Sequence, residues 1–231
     1  MFENWKTTLE RDGVARITNV FSKGEMDRLR ALSLQALRKA DDREVQWRGE
    51  FPALLFAPRG LNEYRQDPRL VEIVRAVLGD DVLQLNNQLY FRLPGDGDQF
   101  AWHQDISFRI PKENFDRIEE GYLQTAIVID DMTPENGAIE YVHGSHKAGD
   151  LGLVPRDGTE RGLRDYEVGK YVGEKMCATS GDVLVWSVMV VHGSEPNWSK
   201  FPRSYYMNGF AKAACVRDQQ FPRYLVNGRL A

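Results

Sequence analysis

Val82-Leu83-Gln84-Leu85-Asn86-Asn87-Gln88-Leu89-Tyr90-Phe91-Arg92 alternates polar and apolar side chains with a period of two. In an extended strand Gln84, Asn86, Gln88, Tyr90 and Arg92 share one face, while Leu83, Leu85, Leu89 and Phe91 share the other, with Asn87 as the exception. The polar side of such a strand faces either solvent or, inside a barrel, the wall of a ligand cavity. Further strands are expected at residues 122–129, 138–142, 182–191 and 204–211, and a short one at Val14-Ala15-Arg16-Ile17. Strands outnumber helices after residue 80, so a single antiparallel barrel with flanking helices is the simplest architecture.

Before residue 80 the period is helical. Residues 22–38 carry Met26, Leu29, Leu32, Leu34 and Leu37 at mostly helical spacing, and Ser22 with Glu25 three residues on forms a capping-box signature. A second helix is expected over residues 68–78, opened by Pro68 and closed by Gly79. Two long polar segments, 109–121 and 148–175, interrupt the strands, and loops of that length form a rim or lid over a site when they are not disordered.

The 231 residues, 42% hydrophobic and 11% aromatic, suffice for one domain with a full core. Residues 1–80 are expected to buttress a barrel spanning about 82–213. A net charge of -4, with 30 basic and 34 acidic residues interspersed, offers no basic footprint for nucleic acid or an anionic membrane. No apolar run approaches the roughly 18 residues of a membrane helix. Small-molecule partners are therefore expected; composition leaves the oligomeric state open. Two cysteines, Cys177 and Cys215, lack metal-ligand spacing and suit a reducing compartment, and Met1-Phe2-Glu3-Asn4-Trp5-Lys6 lacks the basic start and apolar core of a secretory signal. The expected compartment is the cytoplasm.

Chemistry enters at Trp102-His103-Gln104-Asp105. Side chains at i and i+2 of a strand point the same way, so His103 and Asp105 can grip one ion while Gln104 points elsewhere. The apolar run 183–191 delivers His192 at its end as a third ligand. Two imidazoles and one carboxylate on one triangular face suit non-haem Fe(II) and leave positions for substrate or dioxygen; zinc is the other candidate. His143 and His146, in a loop-like stretch, are expected to be hydrogen-bonded rather than ligating.

The chain resembles the phytanoyl-CoA dioxygenase-like Fe(II)/2-oxoglutarate oxygenases. The likeness runs through Arg11-Asp12-Gly13-Val14, Val77-Leu78-Gly79, Leu93-Pro94-Gly95, Trp102-His103-Gln104-Asp105, the stretch from Asp130-Asp131 to Asn136-Gly137, Gly144-Ser145-His146-Lys147, His192-Gly193-Ser194 and Arg203. It implies a mainly β, cupin-like double-stranded β-helix, or jelly roll, with buttressing helices. It also implies His103, Asp105 and His192 as iron ligands, and Arg203 as the partner of the far carboxylate of 2-oxoglutarate, a role that suits a planar guanidinium fork. Ser194 is similar to a serine assisting that arginine, Gln88 is a further polar contact, and Thr125 a weaker one. The implied reaction couples decarboxylation of 2-oxoglutarate by O2, giving succinate and CO2, to oxidation of an unactivated C–H bond of a small-molecule metabolite. Hydroxylation leads, with desaturation or ring closure open, and Asp105 disfavours halogenation because related halogenases replace this carboxylate by a small residue. The alternative is a metal-binding jelly roll with ligand-binding or redox-neutral activity. Trp47, Phe108, Arg109 and Arg161 are candidate rim residues for an aromatic or anionic group.

Overall fold

The computed structural model describes residues 3–40, 45–48, 51–54, 61–95, 97, 99–109, 112–153, 173–217 and 221–231, with side chains omitted at 3, 4, 45–48 and 51–54. Among the described residues, four α-helices, α1 (Glu3–Asp12), α2 (Lys23–Lys39), α3 (Asn62–Arg65) and α4 (Pro68–Leu78), are interspersed with β1 (Val14–Ile17) after α1 and with β2 (Val45–Arg48) and β3 (Phe51–Leu54) after α2. Then follow β4 (Val82–Arg92), β5 (Phe100–His103), β6 (Tyr122–Val128), β7 (Ile139–Tyr141), β8 (Glu174–Lys175), β9 (Val183–Ser187), β10 (His192–Ser194), β11 (Arg203–Lys212), β12 (Arg223–Val226) and β13 (Arg229–Leu230).

The strands form two antiparallel sheets. The larger has the order β1-β9-β6-β11-β4-β12-β13, with β3 pairing to β4 and β2 to β3; the smaller has the order β5-β10-β7-β8. This is the expected jelly-roll architecture. The capping box is present at Ser22 and Glu25, and α4 runs from Pro68 to Leu78 with Gly79 as its C-cap. The first 80 residues are not only helical, however. β1 pairs with β9 in register Val14↔Trp186 to Ile17↔Val183, and β3 extends the sheet beyond β4. β1 is the short strand expected at residues 14–17, whereas β2 and β3 carry too few residues for a periodic signal to stand out.

Alternation along the central strands sorts two cores. Leu89 and Phe91 of β4, Leu123 and Ile127 of β6, Val183 and Val185 of β9, and Tyr206 and Phe210 of β11 pack beneath Leu29, Leu70 and Val74 of the helices. The opposite faces contribute Ala126, Val128, Leu184, Trp186, Tyr205 and Met207 to a second core shared with Ile139 and Tyr141 of the smaller sheet. Leu89 and Phe91 of β4 are therefore covered by helices while Asn86, Gln88 and Tyr90 turn inward. A bulge at Leu85 reverses the faces before it: Gln84 turns to Arg65 on the helix side and Leu83 packs inward with Ile106 and Val188. The single polar face expected over 82–92 thus does not extend to Gln84.

The apolar run 182–191 is not one strand. β9 ends at Ser187, whose carbonyl accepts from Val190 N at 3.1 Å and whose hydroxyl accepts from Met189 N at 3.2 Å. This corner carries the chain from the larger sheet to the smaller, and His192 begins β10. Every residue of the corner from Val188 to Val191 is buried, so an unbroken apolar run reads like a single strand although it turns.

Candidate metal centre and its cavity

His103 ends β5 and pairs in register with His192, the first residue of β10. Asp105 lies outside the strand and opens a 3-10 turn, Asp105–Phe108. The i, i+2 argument nevertheless holds, because Gln104 between them is extended (φ −119, ψ 135). Its side chain points away, donating to Met189 O at 2.6 Å and Gly149 O at 2.9 Å and accepting from Leu151 N at 2.7 Å. Ile106 N also donates to Val188 O at 3.0 Å, so both neighbours of Asp105 are tied to the corner after β9.

One potential ligand atom from each of His103, Asp105 and His192 lies within 4.8 Å of the other two. Asp105 Oδ1 is 3.7 Å from His103 Nε2 and 3.8 Å from His192 Nε2. The donor set fits a divalent metal on two further grounds. His103 Nδ1 lies 2.8 Å from Ala101 O and His192 Nδ1 lies 3.0 Å from Val190 O, so each Nδ1 carries the proton and each Nε2 offers its lone pair inward. Asp105 Oδ2 accepts from Trp186 Nε1 at 3.0 Å and from Gln124 Nε2 at 3.3 Å, which leaves Oδ1 for an ion. Burial works against the Asp105 charge, but His192, His103, Arg109 and the indole N–H outweigh it and hold the carboxyl below its usual range.

Aromatic rings wall the cluster. The two imidazoles stand 4.1 Å apart at their centroids, Phe108 meets His103 edge-on at 5.5 Å, and Tyr141 stacks on His192 at 5.8 Å. Beside them opens a cavity of about 420 Å³, within the usual range for small-molecule sites. Asn86, Gln88 and Tyr90 line it, so the polar face of β4 is cavity wall rather than solvent face. Ser194 also lines it, with a buried hydroxyl that has no hydrogen-bond partner among the described residues. Arg203, 1% exposed at the start of β11, is not a lining residue; its guanidinium stands 5.7 Å from the ring of Tyr205, which is. Thr125 faces away, donating to Asn208 O at 3.0 Å.

A second chain of hydrogen bonds runs behind Asp105. Arg109 Nη2 donates to Tyr122 Oη at 2.8 Å, Tyr122 Oη donates to Gln124 Oε1 at 2.8 Å, and Gln124 continues to Asp105. Burial pushes the Tyr122 phenol up, so it remains a neutral donor. Gly209 makes this crossing possible: a Cβ there would overlap the Tyr122 hydroxyl and the side-chain oxygens of Gln124 and Asn86. Trp186, Gln124, Tyr141 and Gly209 were not singled out by sequence pattern; a glutamine in an otherwise apolar strand and a glycine within β11 are the signals that mark two of them.

The remaining histidines stay out of the cluster. His143 lies 3.5 Å from both Asp12 Oδ2 and Glu174 Oε2, and His146 Nε2 is 3.2 Å from Glu10 O. Of the rim candidates, Phe108 and Arg109 line the cavity. The side chain of Trp47, Arg161 and residues 154–172 of the long polar segment lie outside the described residues.

Comparison with known proteins agrees with this geometry. Residues 9–205 match the family described as Phytanoyl-CoA dioxygenase (PhyH). A Stutzerimonas stutzeri protein named "Probable alpha-ketoglutarate-dependent hypophosphite dioxygenase" is 26% identical, the match covering 94% of this chain and 83% of the relative. The ectoine dioxygenase of Stutzerimonas stutzeri (strain A1501) is 27% identical, with 84% and 72% covered. In fold, the epimerase SnoN, solved with Fe3+, alpha ketoglutarate and nogalamycin RO, superimposes with a TM-score of 0.75 at 18% identity over 91% of this chain and 83% of its own. The chain belongs to the phytanoyl-CoA dioxygenase (PhyH) family of iron- and 2-oxoglutarate-dependent dioxygenases.

Proposed function

We propose that His103, Asp105 and His192 hold Fe(II), that Arg203 with Ser194 and Gln88 holds 2-oxoglutarate, and that the cavity oxidises a C–H bond of a small-molecule metabolite, hydroxylation being the leading outcome. The observation that carries this reading is the convergence of three buried donors whose second atoms are already engaged, by Ala101 O, Val190 O, Trp186 and Gln124. When bound, iron and 2-oxoglutarate together reduce dioxygen, release succinate and CO2, and supply the oxidant that takes a hydrogen atom from substrate.

The chain's own residues do the positioning. The carbonyls of Ala101 and Val190 keep both imidazoles in the metal-binding tautomer. The Phe108 ring packs against His103 and the Tyr141 and Trp186 rings against His192, leaving each of the three donors only 7% exposed, which strengthens their electrostatic contacts. Arg203 has the planar fork suited to the far carboxylate of the cosubstrate, and Ser194 offers a hydroxyl from the cavity wall. Asp105 supplies the third ligand, which argues for oxygen transfer and against halogenation. A binding module without oxygen activation is not favoured, because the relatives are named dioxygenases.

Anaerobic addition of Fe(II) and 2-oxoglutarate is expected to raise a weak visible charge-transfer band, and admission of oxygen to yield succinate. Loss of both in His103→Ala is the expected control. A wild-type chain that gives neither band nor succinate refutes the reading.

A further inference from the structure

We infer that Arg109 is the substrate-anion site of this cavity, so that the metabolite oxidised here carries an oxyanion, a carboxylate or a phosphorus oxyacid, bound by the Arg109 guanidinium. The inference rests on the function proposed above and names the substrate class for the same site.

Arg109 follows Asp105 by one 3-10 turn and lines the cavity beside Phe108. Its guanidinium is anchored on one side only: Nη2 donates to Tyr122 and the group lies 4.8 Å over the Tyr122 ring. Its Nε is buried with no hydrogen-bond partner, and no described carboxylate pairs with it. Tyr122 is a neutral phenol and cannot balance the charge. Asp105, whose influence reaches Arg109, is directed by Trp186 and Gln124 toward the metal position. With a divalent ion on the histidines and Asp105, the positive charge of Arg109 stays uncompensated. A partly buried guanidinium with an idle N–H in a cavity is costly alone and favourable once a carboxylate or phosphoryl oxygen fills the fork.

Arg203, the residue assigned to the far carboxylate of 2-oxoglutarate, opens β11, whereas the Tyr122 hydroxyl that anchors Arg109 sits against Gly209, six residues further along that strand, roughly 20 Å at about 3.3 Å per residue. Gln124, which holds Asp105, pairs with Gly209 as well, so Arg109 stands beside the metal donors and away from the start of β11. With Arg203 assigned to the cosubstrate, Arg109 is the cation of the cavity wall left for substrate. Phe100, Phe108, Tyr90 and Met207 add apolar wall, which suits a compact carbon body attached to the anion.

The test uses the full chain loaded with Ni(II), which prevents turnover, and 2-oxoglutarate at a saturating level set by isothermal titration. Labelling of Arg109 by phenylglyoxal is followed by peptide mass spectrometry with propionate, inorganic phosphate or propionamide as probes. Arg109 is expected to be labelled in the 2-oxoglutarate complex and to be protected on the order of tenfold by propionate or by phosphate, whichever oxyanion fits, but not by propionamide. Arg109 that resists labelling with metal alone, labelling already blocked by 2-oxoglutarate, or equal protection by propionamide would each overturn the inference. Arg109→Gln is expected to keep 2-oxoglutarate affinity within about twofold, and a tenfold loss would assign Arg109 to the cosubstrate instead. Absence of 2-oxoglutarate binding to the wild-type chain would refute the proposed function; binding without oxyanion protection would refute this inference alone.

Discussion

Trp186→Phe isolates one hydrogen bond of the metal centre. Trp186 is 2% exposed, stands 5.9 Å from the His192 ring, and donates its indole N–H to Asp105 Oδ2 at 3.0 Å. Phenylalanine keeps an aromatic ring against His192 and removes the donor. A hydrogen bond to a charged acceptor contributes about 1.5–3 kcal/mol, or ten- to a hundredfold in affinity, and outer-shell substitutions at metal sites fall in the same range. Gln124 Nε2 remains 3.3 Å from the same oxygen, so the lower end applies, about tenfold weaker metal binding. The stability cost of the smaller ring stays below the roughly 3 kcal/mol at which full truncation of a buried tryptophan begins. Anaerobic competition of Fe(II) or Co(II) between the protein and a chelating dye measures the first quantity, and thermal unfolding of the metal-free protein the second. A folded variant whose metal affinity stays within twofold of wild type would show that this bond does not orient Asp105.

Arg203→Lys retains charge but loses the fork, and is expected to weaken 2-oxoglutarate about tenfold or more with metal affinity unchanged; an equal loss of both removes Arg203 from the cosubstrate role. Gly209→Ala, which in an ordinary strand position would be favourable, is expected to lower stability by about 1–3 kcal/mol and to weaken metal binding by displacing Gln124, so a raised Tm would contradict the crossing described here. Glu25, held by the Arg69 guanidinium and the Ser22 N–H, has its carboxyl pulled from 4.5 to about 2. Its contribution is thus complete above pH 4.5 and lost as pH falls toward 2; Glu25→Gln is expected to flatten that limb of the Tm–pH curve, and an unchanged limb would refute it.

Period and punctuation carried much of the fold. The alternation of 86–92 reappears in β4, with Asn86, Gln88 and Tyr90 on the cavity wall, whereas the bulge at Leu85, which no period announces, reverses the faces of Leu83 and Gln84. Ser22, Glu25, Pro68 and Gly79 mark the helix ends because capping is local chemistry. The site was readable where ligands are close in sequence, as in His103 and Asp105. What escaped is tertiary. The corner at Ser187 is invisible because both sheets demand apolar residues there. Gln124 and Trp186 acquire their roles only when Asp105 arrives from another element, and the opening at Gly209 depends on three side chains, Tyr122 and Gln124 of β6 and Asn86 of β4.

The histidines stand on β5 and β10 of the smaller sheet, whereas the groups that aim Asp105 stand on β6 and β9 of the larger. All three donors thus come from the smaller sheet and the turn after β5, and a metal held by them would depend on the larger sheet only through the Trp186 and Gln124 contacts to Asp105. Substitutions on β6 or β9 would therefore reach metal affinity without touching a ligand, which lets one layer tune what the other holds.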